Sequence, residues 1–336
     1  MNKKLNNLQA LRAFAALNVV LFHLIGTSAS YGFGVDHLKI FEGWGFNGVD
    51  IFFVLSGFIM VYIQKDKTIS PATFFIDRLT RIAPLYWLLT GTVLALTFIF
   101  PSIFRSDVSN IQIHSLASIF FMSQPLLEKM PVLYDGWTLE YEMLFYLSIA
   151  IGLFFRKKIL TYPFVMLVIS FLIIFNLIQT VAFEFLLGIF LGNLYLNIDN
   201  NKKIQLASLV IGLTWFFSTL IVFRWDGEIY TQRVIMYGLP SFLIIYGLLG
   251  IKQIHSGILT KLGDASYSIY LIQVFTIPAF YKMIKVIKLF DGVSHDFLAI
   301  ICLISTAIGG YVLYELVEKH LTKWTRKIYF QDLSKI

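Results

Sequence analysis

Apolar residues in this chain come in long runs with few interruptions, without the alternation or the single apolar stripe of a soluble core. Ten runs reach the roughly 20 residues that a helix needs to cross a bilayer. They cover about 8–26, 47–64, 82–100, 137–155, 159–176, 180–197, 204–223, 232–250, 265–281 and 297–317. A helix that is apolar around its whole circumference needs apolar surroundings on every side. Connectors are short, and no internal repeat, low-complexity tract or linker separates the runs. The pattern predicts an all-α, polytopic membrane helical bundle of about ten transmembrane helices. It predicts one integral-membrane domain over 1–336, with no appended soluble domain. The first run carries Arg12 and lacks a small-residue cleavage site, so it reads as a retained span rather than a signal peptide.

Composition strengthens this picture. Of 336 residues, 57% are hydrophobic and 14% charged, against about 25% charged in an ordinary soluble domain. So few charges cannot cover the surface of a soluble protein with 33 phenylalanines. The net charge of +7 then speaks of orientation rather than of nucleic acid. With both termini cytoplasmic, 18 of the 27 basic residues fall on the inner side, as the positive-inside rule requires. Lys282, Lys285 and Lys288 fall outside and read as the polar stripe of a short interfacial helix. The longest outer segment, about 101–136, is broken by Pro125 and Pro131. Cys302 is the lone cysteine, which excludes an internal disulfide, and no Cys/His spacing resembles a metal site.

Candidate chemistry lies where polar groups enter the apolar runs, because burying them unpaired costs several kcal/mol. Arg12 and His23 share the first run. Eleven residues put them roughly 16 Å apart along a helix axis and on nearly the same face. The structural alternatives are an Arg12 that snorkels to headgroups and a His23 at a helix–helix contact. Asp50 opens the second run, either as a functional acid or as a charge on the helix dipole. Ser56 and Gly57 follow it as small residues suited to close helix approach. Glu140 and Glu142 are two apart, cannot share a face, and Glu142 is the deeper. Arg78 and Arg81, in the connector before the third run, are spaced to converge on one phosphate or to anchor the inner face.

These residues fall in motifs that resemble the membrane-bound acyltransferase-3 family of bacterial glycan O-acylating enzymes. LQALRAFAALNVVLFHL resembles its Arg-x10-His signature, and GVDIFFVLSGF its second-helix motif. RLTRIAPLYW is similar to its Arg-x-x-Arg motif followed by Pro84 and Tyr86. GWTLEYEMLFY is similar to its Trp-(Ser/Thr)-Leu-x-x-Glu motif, with Trp137 and Glu142 at the ends. LGDASYSIYLIQ resembles a late motif containing Tyr267, with Gln273 where many relatives carry histidine. The resemblance spans about 8–317.

The resemblance implies a multi-pass bacterial inner-membrane O-acyltransferase. Its donor would be acyl-CoA, most simply acetyl-CoA, and its acceptor a hydroxyl of a cell-surface or lipid-linked glycan. The topology sets Arg12, Arg78 and Arg81 at the inner side, to clamp the donor phosphates. His23, Asp50, Glu142 and Trp137 fall at the outer side. His23 would act as general base or carry the acyl group, and direct transfer is the simpler route. Glu142 or Asp50 would orient the imidazole. Trp137, Ser56, Tyr267 and Gln273 would serve the acceptor or the structure, and no metal is implied. The rival readings are a lipid-linked-sugar transporter or flippase with a His/Asp/Glu proton relay, and a non-catalytic membrane subunit. Inverted repeats and broken helices, frequent in transporters, are not evident in the sequence.

Overall fold

A computed structural model describes residues 5–65, 69–100, 111–222, 230–255, 257–287 and 292–333. Lys288, and Lys3, Lys4, Lys67 and Lys335 among the basic residues counted to the inner side, lie outside them. The described residues are helical, with no strand. Among the described residues, eight helices are long and apolar enough to cross a membrane, and Lys158–Ile174 and Val234–Gly250 are shorter apolar helices. All ten coincide with the runs read from the sequence.

Two boundaries differ. The third helix starts at Pro71 and runs to Ile99, so Arg78 and Arg81 sit on a helix rather than in a connector. Ser70 begins it as an N-cap: its hydroxyl accepts from the Thr73 amide at 3.1 Å, and Pro71 follows with a backbone preset for the first turn. Lys282 and Lys285 belong to the last turns of the long helix Ser266–Ile287, not to a separate interfacial helix.

The chain packs as two compact units. The first takes Met1–Lys65 and Phe183–Tyr314. Its helices are α1 (Asn6–Ser30), α2 (Asn47–Ile63), α8 (Phe183–Asn197), α9 (Lys202–Val222), α10 (Tyr230–Arg233), α11 (Leu239–Gly250), α12 (Ile258–Asp264), α13 (Ser266–Ile287) and α14 (His295–Leu313). Within this unit α1 packs against α2, α12, α13 and α14. Its Ala16, Val20 and Leu24 join Ala265, Ile269 and Ile277 in one buried cluster. Helices α2 and α8 meet backbone to backbone. A Cβ on Gly57 would lie 2.1 Å from the Phe185 carbonyl oxygen, and one on Gly188 2.2 Å from that of Val54. Small residues allow this approach where no hydrophobic effect drives helices together.

The second unit takes Asp66–Ala182 and Glu315–Ile336. It holds α3 (Pro71–Ile99), α4 (Ile111–Ile119), α5 (Ser123–Leu127), α6 (Trp137–Gly152), α7 (Lys158–Ile174) and α15 (Lys319–Leu333). Helix α6 packs against α3 and α7, and α15 packs against α3. The described part of the long segment at 101–136 folds as α4, α5 and a 3-10 turn at Tyr134–Gly136.

Candidate active site

Arg12 and His23 lie on the single helix α1, and both are half-buried. The His23 ring meets Phe22 edge-on at 5.0 Å. Phe22 packs on Phe46 at 5.2 Å, and the Arg233 guanidinium lies 3.7 Å from the Phe46 ring centre. The turn carrying Phe46 is fixed to α1 by Asn18, which donates to Asn47 at 2.9 Å.

Asp50 stands on α2 with a side chain that is fully buried. Both of its oxygens accept from Arg233, at 2.8 Å from Nε and 2.7 Å from Nη2. This two-bond, charge-assisted geometry is the strongest that a guanidinium and a carboxylate form. It occupies the carboxylate that the sequence reading offered to the imidazole. Glu184, at the start of α8, lies beside Asp50 and is itself fully buried. Glu184 contacts the Asp50 carboxyl group, and Nη1 of Arg233 has no hydrogen bond among the described residues. A π-helical turn, Val234–Gly238, follows Arg233, and a Cβ on Gly238 would come 3.0 Å from Glu184 Oε1. Arg233 and Glu184 escaped the sequence reading. The available signal was an ionisable residue at the edge of an apolar run, the same signal that singled out Asp50.

Of the other first-unit candidates, Gln273 is buried on α13, while Ser56 and Tyr267 are half-buried on α2 and α13. The packing of α1 on α2 and α13 brings the first, second and late motifs into one unit.

In the second unit, Arg78 is buried and Arg81 half-buried, three residues apart on α3. Asp77 pairs with Arg78, and its other oxygen forms an ion pair with Arg326 Nη2 of α15 at 2.8 Å. Helix α15 is seated by sequence chemistry. Pro84 has no N–H, so the Thr80 carbonyl four residues earlier loses its helical donor. The Thr325 hydroxyl of α15 lies 3.4 Å from that carbonyl, with the Leu321 carbonyl of its own helix nearer at 2.9 Å.

Two carboxylates on α6 have separate duties. Glu140 is fully buried and accepts from the Ser123 and Gln124 amides at 2.9 and 2.8 Å, capping α5. Glu142 is half-buried and accepts from the Tyr146 hydroxyl one turn on. Tyr146 also lies in the electrostatic field of Arg78 and Arg81, and its ring meets Phe74 edge-on at 6.3 Å. Tyr146 thus links Glu142 to the electrostatic surroundings of the two arginines. Trp137, at the start of α6, is buried and edge-on to Tyr141 at 5.5 Å. No cluster of three metal-ligating side chains occurs among the described residues.

Comparison with known proteins adds to this geometry. A family described as an acyltransferase domain, of the acyltransferase-3 type, matches residues 5–315. The exopolysaccharide production protein ExoZ of Rhizobium meliloti is 32% identical over 310 residues, covering 83% of this chain and 90% of that protein. The peptidoglycan O-acetyltransferase OatA of Listeria monocytogenes is 31% identical over 127 residues, 36% of this chain and 18% of that protein. The O-acetyltransferase OatA of Staphylococcus aureus is 24% identical over 367 residues, covering 95% of this chain but 57% of that protein. No solved structure matches the chain.

Proposed function

The chain belongs to the acyltransferase-3 family and is a multi-pass membrane O-acyltransferase, and on that premise we propose that it acetylates a hydroxyl of a bacterial surface or lipid-linked glycan, using acetyl-CoA from the cytoplasm. The observation that carries the reading is a set of ionisable side chains held inside apolar helices in the family's motif positions: Arg12 and His23 on α1, Arg78 and Arg81 on α3, and Glu142 on α6. Charges in such helices are retained where they have work to do. The exopolysaccharide role named for the relative that matches over most of its length supports a glycan acceptor.

In this reading Arg78 and Arg81 bind phosphate groups of the donor. His23 takes the proton from the acceptor hydroxyl as its oxygen attacks the thioester carbonyl. A C–O bond forms, the C–S bond breaks, and the CoA thiolate leaves and receives the proton. Asp50, with both oxygens held by Arg233, acts as structure rather than as a partner of the imidazole. The protein is assigned to the inner membrane with both termini cytoplasmic, which fits the distribution of basic residues.

The test is acetyl-CoA consumption by purified protein with a glycan acceptor, read with donor binding on the same preparation. His23→Ala should abolish turnover and leave binding within about threefold. Turnover within tenfold of the native protein would refute the base assignment. Absence of any acyl-CoA consumption or binding by the native protein would refute the donor.

A further inference from the structure

We propose that Arg326 of the C-terminal helix is the third guanidinium of a phosphate-binding site with Arg78 and Arg81, and that Asp77 fills this site in the free protein as an internal anion that a phosphate group displaces. This rests on the reading of Arg78 and Arg81 as phosphate ligands, but Arg326 lies outside the segment that matches the family, which ends at 315.

Four observations carry it. First, Asp77 is the common partner of two guanidiniums, with one oxygen on Arg78 and the other on Arg326. A carboxylate bridging two arginines occupies the donors that a phosphate would use, since both anions offer paired oxygens to the guanidinium fork. Second, the Arg78 side chain is 10% exposed and its buried Nε has no hydrogen-bond partner among the described residues. A buried donor without an acceptor costs about 1–3 kcal/mol, so Asp77 does not complete this site. Third, the charges do not balance. Arg78, Arg81 and Arg326 bring three positive charges near the carboxylates of Asp77 and Glu142, and once Asp77 is displaced Glu142 alone opposes them. A phosphate dianion would supply what is lacking. Fourth, the gate can open. Asp77 and Arg326 are 27% and 44% exposed, and α15 stays packed along α3 when the pair parts.

If the Asp77–Arg326 pair only docked α15, neutralising either residue would loosen the helix and leave anion affinity unmoved. An internal competitor behaves differently: removing Asp77 should strengthen phosphate binding, while removing Arg326 should weaken it. The opposite signs are what the experiment reads.

Full-length protein in phosphatidylcholine nanodiscs is titrated with CoA and with adenosine 3′,5′-bisphosphate, a soluble probe with the nucleotide phosphates and no acyl arm. Asp77→Asn should tighten the bisphosphate about three- to tenfold, and Arg326→Gln should weaken it about tenfold, the loss of one charge-assisted bond at a half-exposed site. Arg326→Lys should fall between the two. Repeating the titration with phosphatidylglycerol in the discs separates the sources of phosphate. Competition by this lipid, lost in Arg326→Gln, would assign the site to headgroups, and its absence would assign it to the soluble nucleotide. Unchanged affinity for both probes in both variants, with a lower melting temperature, would overturn the proposal and leave a helix-docking ion pair. Arg78→Ala with Arg81→Ala tells the two readings apart. If that double variant loses CoA while Arg326→Gln and Asp77→Asn do not matter, only the present proposal fails. If none of the four residues matters, the donor assignment fails with it.

Discussion

Replacing Arg233 by methionine leaves Asp50 and Glu184 facing each other without their guanidinium. Asp50 and Arg233 are 0% and 1% exposed at the side chain, and Glu184 is 0% exposed, so water cannot take over. Breaking a buried pair from one side costs about 3–5 kcal/mol, and the guanidinium also loses its place over Phe46 at 3.7 Å. Asp50→Asn should cost less, about 1.5–3 kcal/mol for the weakened charge-assisted bonds, because Arg233 still has the Glu184 carboxylate beside it. The order of stability should therefore be native, then Asp50→Asn, then Arg233→Met. Adding Glu184→Gln to Arg233→Met should recover part of the loss by removing one of the two stranded carboxylates. With Glu184→Gln alone as the fourth variant, the set closes a double-mutant cycle with a stabilising coupling between the two changes. Thermal unfolding of the four variants in one detergent, followed by intrinsic fluorescence, measures the order. Equal losses for Asp50→Asn and Arg233→Met, or no recovery with Glu184→Gln, would refute the charge count on which the argument rests.

Two further expectations concern the fold. Gly188→Leu should separate α2 from α8, because a side chain there meets the Val54 carbonyl at 2.2 Å and the Gly57 Cα at 2.7 Å; protein that inserts at native yield and melts at the native temperature would exclude that packing. A reporter active only in the cytoplasm should work when fused after Leu333, and one active only in the periplasm should not; the reverse pair of results would invert the proposed orientation.

Hydropathy is a local property, and the ten apolar segments follow from it because a span must satisfy its backbone within itself. Arg12, His23, Asp50 and Glu142 were legible for the same reason, each being out of place against its own neighbours whatever it touches, while Arg233 and Glu184 at the edges of later runs were passed over. The start of α3 was not legible as part of a span, because Asp77, Arg78 and Arg81 break the apolar run while Ser70 and Pro71 start the helix well before it. Partners were not legible either. Nothing near Asp50 announces Arg233, which lies 183 positions away, and nothing near Thr80 announces Thr325, 245 positions on. The sequence marked Glu140 and Glu142 as competing candidates, and only the folded chain separated them, giving one to the amides of α5 and the other to Tyr146. Which ionisable groups the chain carries into apolar surroundings is decided by composition along a helix. Which of them neutralise one another, and which are left to meet a substrate, is decided by contacts between distant segments, because an ion pair is settled by distance in space and not by spacing along the chain.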